Sequence, residues 1–200
     1  MKFSQLIILV FSFISTSSCE QKSEKEVTNY TYFNKSSSDS TAKEFLIAVT
    51  DEEHLQYGSR VAYLNKKGDT IIPFGKYGYL GTDTLTHYAN VFEYPTDTSS
   101  GRRIAIDRNQ NILYDLVFFD NGPDYFHEGL VRVERNEKMG FANKYGQILI
   151  PCDYDFVWWF EKGKAKVTFD AREIRDKYDY HTRIESEEWF YIDRNGKRIK

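Results

Sequence analysis

Hydrophobic and polar residues alternate most clearly in two short stretches, "GLVRVE" (129–134) and "GKAKVT" (163–168). Val131 and Val133 alternate with Arg132 and Glu134, and Ala165 and Val167 with Lys164 and Lys166. A period of two predicts strands with one row of side chains inward and the other in water. Each stretch leads into a second pattern: an apolar run, an Asn or Asp, two mostly polar residues, a Gly, and another apolar run. That pattern occurs as "VAYLNKKGDTIIP" from Val61, "RIAIDRNQNILY" from Arg103 (Gln110 in place of Gly), "MGFANKYGQILIP" from Met139 and "WFYIDRNGKRI" from Trp189. "FLIAVT" (45–50) and "YANVFE" (88–93) lead the first two copies. The chain therefore predicts an all-β domain over 43–200, built of about four stacked three-stranded β-meanders. One meander cannot bury its own apolar face, so neighbours must pack together.

The Asn/Asp-to-Gly segments admit two readings, a metal loop or a tight turn. A calcium loop needs a glycine at its sixth position and a bidentate Glu at its twelfth. In "DRNQNILYDLVF" those positions hold Ile112 and Phe118, and at Asp193 the chain ends too soon. The turn reading accounts for more, because Asn65, Asp107, Asn143 and Asp193 can accept their own backbone N–H groups while Gly takes the left-handed position. Gln110 pays about 1 kcal/mol in that conformation. The expectation there is a rearranged turn with Asn109 or Asn111 at positive φ.

On these motifs the chain resembles the WG-repeat proteins, whose units carry an "F-x-E-G-L" strand, a "W-G-Y-I-D-x-x-G" hairpin and an apolar strand ending in Pro. Residues Tyr125 to Phe169 follow that pattern, and the remainder of 44–200 follows it more loosely. The namesake dipeptide stands as Met139-Gly140 and Trp189-Phe190. The resemblance implies a β-repeat domain with an interaction-type role and brings no catalytic residues or cofactor.

Composition supports the β reading: 15 Tyr and 15 Phe favour pleated, half-buried surfaces. A formal charge of −3 points to no partner class, and the mixing of basic with acidic residues argues against nucleic acid. Residues 1–18, with Lys2, the apolar "LIILVFSFI" and "STSS", read as a signal peptide. Together with Cys19 they resemble a bacterial lipoprotein signal, implying acylation of Cys19 and membrane attachment in the cell envelope. Thr16 stands where that motif carries an aliphatic residue, which leaves secretion or a periplasmic location as the alternative. Residues 19–42, polar and serine-rich, read as a disordered tether.

Cys152 is the one other cysteine and reads as a small buried hydrophobe. The four histidines lie without catalytic or metal-binding spacing. Carboxylate neighbours Asp153 and Asp155, or Glu187 and Glu188, keep a carbohydrate-active hydrolase as one alternative function, and a purely structural spacer is another. The leading expectation is binding, without catalysis or cofactor, to a protein or polysaccharide of the envelope. Its candidate residues are Trp158, Trp159 and Tyr154, joined by Tyr178 and Tyr180 of the long 170–188 insertion. One tryptophan is expected to pack between repeats while the other lies partly exposed.

Overall fold

The computed structural model describes residues 30–40, 44–97, 100–119, 121–175 and 182–200. The signal segment and Cys19 lie outside the described residues, as do Tyr178 and Tyr180. The domain is all-β and antiparallel, and each repeat is a meander as expected. Unit one comprises β1 (Leu46–Val49), β2 (Arg60–Leu64) and β3 (Thr70–Tyr79), with β4 (Thr84–Leu85) added beside β1. Residues 75–88 are thus partly strand. Unit two is β5 (Ala89–Glu93), β6 (Arg102–Ile106) and β7 (Ile112–Leu116); a short ribbon, β8 (Phe118–Phe119) with β9 (Gly122–Pro123), follows it. Unit three is β10 (Leu130–Arg135), β11 (Lys138–Asn143) and β12 (Ile148–Tyr154).

These three units join edge to edge in one ten-stranded sheet, through Tyr77↔Glu93 between β3 and β5 and Glu134↔Asp115 between β10 and β7. The chain then leaves β12 through Asp155 for a second, four-stranded sheet. This sheet holds β13 (Phe156–Val157), β14 (Lys164–Thr168), β17 (Phe190–Asp193) and β18 (Arg198–Ile199). Between β14 and β17 the insertion forms its own hairpin, β15 (Arg172–Arg175) with β16 (Thr182–Glu185). Units three and four pack through one core in which Phe141, Ile150 and Tyr154 meet Phe160, Val167 and Ile192. Phe141 meets Phe160 edge to face at 4.8 Å.

The turns explain why the four hairpins recur. Asn65 Oδ1 accepts N–H bonds from Lys67 and Asp69, Asn143 Oδ1 from Tyr145 and Gln147, and Asp193 Oδ1 from Asn195 and Lys197, at 2.9–3.1 Å. Gly68, Gly146 and Gly196 take positive φ. Asp107 does the same with Asn109 and Asn111. Here the expectation of a rearranged turn fails, because Gln110 itself adopts φ 63°. The two bonds to Asp107 Oδ1, with Gln110 N–H to Asp107 O at 3.0 Å, outweigh the left-handed penalty on one residue.

Two further expectations change. The part of the predicted tether at 30–40 lies against the large sheet. Phe33 N–H donates to Ile112 O at 2.7 Å, Arg135 donates to Phe33 O at 2.9 Å, and Gln147 Nε2 donates to Ser36 O at 2.6 Å. The Arg102 guanidinium lies 3.5 Å from the centre of the Tyr30 ring and pairs with Asp115 at 2.7 Å. The segment is held by hydrogen bonds and cation–π contacts, which an apolar-burial argument does not count. The solvent row of β10 is also not wholly in water, since Arg132 is buried.

Gly140 shows why a glycine stands in the repeat's dipeptide. β11 pairs with β12 at Phe141↔Ile150 and then at Met139↔Tyr154, so Pro151 to Asp153 bulge opposite Gly140. Pro151 suits such a bulge because it has no N–H to give a ladder. A Cβ on Gly140 would lie 2.5 Å from Ile150 O and 2.7 Å from Pro151 O. Gly140→Ala is expected to destabilise the domain by about 1–3 kcal/mol, read as a lower urea midpoint with unchanged slope. Gln110→Gly is expected to raise the melting temperature by about 2–4 °C, on the order of 1 kcal/mol of relieved strain.

Candidate functional site

The second sheet has two unlike faces. Val157, Ala165, Val167 and Ile192 point inward and are buried, while Lys164, Lys166 and Tyr191 form the outward row; Phe156, partly buried, packs against the core. Lys166 sits opposite Tyr191 across β14 and β17. The Lys164 ammonium lies 4.5 Å from the Tyr191 ring centre, and that of Lys166 lies 4.5 Å from the Trp189 ring centre. Beside this row lies a groove of about 390 Å³ lined by Trp158, Trp159, Glu161, Lys162, Lys164, Lys166 and Tyr191.

All three tryptophans of the chain belong to this region. Trp159 meets Trp158 edge to face at 5.4 Å, Trp158 meets Phe156 at 5.2 Å, and Phe156 meets Trp189 at 6.3 Å. Trp159 and Trp158 are both half-buried, and the fully buried member of "WWF" is Phe160. As expected, one tryptophan packs between repeats. It is Trp159, stacked on His127 at 5.2 Å with an 18° tilt and edge-on to Phe119 at 5.7 Å.

Trp159 is positioned by a charge pair of Asp124 with Arg132, which sequence alternation placed in the solvent row. Arg132 Nε donates to Asp124 Oδ2 at 2.7 Å and Nη2 to Oδ1 at 3.1 Å, with the two side chains 4% and 2% exposed. The guanidinium lies 5.4 Å from the Trp159 ring centre, and Nη1 approaches Val157 O at 3.4 Å. The fork-to-fork geometry satisfies both buried charges, which a lone partner could not. A second brace comes from Glu128, whose carboxylate accepts the Gly163 N–H at 3.0 Å and so ties the β10 entry turn to the β14 entry turn.

The remaining candidates separate. Tyr154 is 8% exposed and stacks on Phe169 at 4.9 Å, which makes it a core residue and takes it away from the groove. Among the described residues, none from the 170–188 insertion lines the groove. The base of its hairpin is held by Asp170, which accepts Thr168 Oγ1 at 2.6 Å, the Ser186 hydroxyl, and Glu187 N–H at 3.1 Å. Those bonds pull the Asp170 carboxyl down to about 2. Of the carboxylate neighbours, Asp155 pairs with Lys138, Glu187 with Arg172 at 2.7 Å and Glu188 with Arg198 at 2.7 Å. A larger cleft of about 580 Å³ lies beside Tyr30 and Tyr32, but its central charges, Arg102 and Asp115, are bonded to each other and to Tyr32.

Sequence reasoning missed Lys162, Lys164, Lys166, Trp189 and Tyr191 as site members. The alternation of "GKAKVT" did send Lys164 and Lys166 outward. Their pairing with Tyr191 was hidden because the long insertion separates β14 from β17.

Residues 139–171 match the family model of the WG containing repeat. The matched stretch runs from β11 through β14 and includes Trp158, Trp159 and Gly140, and it supports reading the chain as a WG-repeat protein. Comparison with curated proteins and with solved structures gives no match.

Replacing Arg132 by Met leaves Asp124 buried without its partner and is expected to cost about 3–5 kcal/mol, whereas Arg132→Met with Asp124→Leu recovers most of that loss. Urea titrations of the two single variants and the double variant check the cycle. Burial pushes the Cys152 thiol up from 9.0 to about 12. The native protein is therefore expected to resist alkylation at pH 8 and to react on unfolding. The linked stability is present below pH 9 and is lost as pH rises toward 12, because the unfolded chain releases this proton first.

Proposed function

We propose that this chain is a non-catalytic binding module of the cell envelope, attached to a membrane through acylated Cys19, with the outer face of its second sheet as the contact surface. The observation that carries the reading is the joining of Trp158, Trp159 and Trp189 into one aromatic cluster with Lys164 and Lys166 on a sheet face. Aromatic anchors backed by a rigid support are the usual energetic centre of a recognition surface. Here the support is the buried Arg132–Asp124 pair and the core shared by units three and four. The repeat match over 139–171 favours an interaction role, since repeat folds offer extended surfaces.

The signal-like N-terminus and the polar residues that follow Cys19 support the membrane attachment. Cys19→Ala is expected to move the protein from the membrane to the soluble fraction on cell fractionation; unchanged membrane retention defeats lipid anchoring. Trp158→Ala with Trp189→Ala is expected to remove the partners captured by cross-linking in intact cells while the unfolding free energy from urea titration stays within about 1 kcal/mol of the parent, as for half-exposed positions. A purely structural spacer predicts an unchanged cross-linking pattern.

A further inference from the structure

We infer that the groove beside Trp158 binds an anionic polysaccharide whose acidic groups are carboxylates on sugar rings. The inference rests on the binding role proposed for this face and specifies its ligand.

Charge sets the first requirement. Three lysines, Lys162, Lys164 and Lys166, stand against one acid, Glu161, in the groove lining, on a chain whose formal charge is −3. The groove is a local positive site on an acidic protein. Lys164 and Lys166 are two residues apart on one strand, which spaces their stems by about 7 Å. Such spacing meets a ligand whose charge repeats along its length better than a single phosphate.

The rings set the second requirement. Each strand lysine lies over an aromatic ring, Lys164 over Tyr191 and Lys166 over Trp189. Trp158 and Trp159 line the same groove as Lys164 and Lys166, so the C–H face of a sugar ring can pack on a tryptophan while its carboxylate meets an ammonium.

Geometry disfavours two other polyanions. β14 is paired on both sides, with β13 through Val157↔Val167 and with β17 through Lys166↔Tyr191. An acidic peptide therefore has no free strand edge here on which to add by backbone hydrogen bonds. Trp158 and Trp159 are half-buried, whereas docking to an anionic bilayer uses apolar side chains that project.

The test is affinity electrophoresis of the full chain in gels containing polygalacturonate, dextran, polyglutamate or phosphatidylglycerol vesicles, with tryptophan quenching in solution as a second readout. Retardation and quenching by polygalacturonate are expected, weakening as salt rises, with no effect of neutral dextran. Trp158→Ala, and separately Lys164→Met with Lys166→Met, are expected to weaken polygalacturonate binding about tenfold or more. Their urea midpoints should remain near the parent's, which separates a lost contact from lost folding. Equal retardation by polyglutamate, or retardation by vesicles that Trp158→Ala abolishes, overturns the glycan assignment. Absence of polygalacturonate binding, with a Trp158-dependent cross-linked partner retained, overturns the ligand class and leaves the binding face standing. Absence of both overturns the two together.

Discussion

The burial of the Arg132 guanidinium against Asp124 is the interaction on which the arrangement of the site depends. A charge of this kind is tolerated inside a protein only when its hydrogen bonds are met in a fixed geometry. Meeting them draws several elements to one point. Asp124 follows the β8–β9 ribbon, Arg132 belongs to β10, Val157 O comes from β13, and Trp159 closes over the guanidinium. The large sheet and the small sheet are thereby held in one orientation, and the tryptophan pair is fixed at their boundary. An apolar contact of the same size would supply burial energy without that directional constraint.

The rest of the fold is built by repetition of a local device. An Asn or Asp side chain accepts two backbone N–H groups, and the residue three positions later turns left-handed; four hairpins use this arrangement. Burial then requires neighbours. Units one to three meet it through shared strand edges, with one core beneath units one and two and another joining two and three. Units three and four meet it face to face, which leaves the opposite face of the small sheet to carry aromatic rings and lysines. The surface proposed for binding therefore lies where the mode of joining changes.

How much could be read in advance varies with the range of the interaction. The four meanders were legible because strand period and turn chemistry are local. Arg132 was misassigned because alternation reports which residues share a face, and it does not report whether a second sheet covers that face. Tyr154 lies four residues before Trp158 in sequence, yet it ends the bulged strand β12 and faces the core. The 30–40 segment was read as a tether because it has little apolar area to bury. Its docking rests on Arg135, Gln147 and Arg102, residues roughly seventy to a hundred and ten positions away.

By itself the sequence determined the β class, the number of meanders, the three glycine-bearing hairpin turns and the outward direction of Lys164 and Lys166, all of which follow from spacing within about fifteen residues. Tertiary structure alone decided that Trp189 and Tyr191 join those lysines across the insertion, and that Trp159 rests on a buried ion pair. It also decided that Gly140 must lack a side chain to clear the Ile150 and Pro151 carbonyls. The physical reason is common to these cases. Pairing between distant strands and the desolvation of a charge depend on which surfaces meet, and no local pattern of residues encodes that meeting directly.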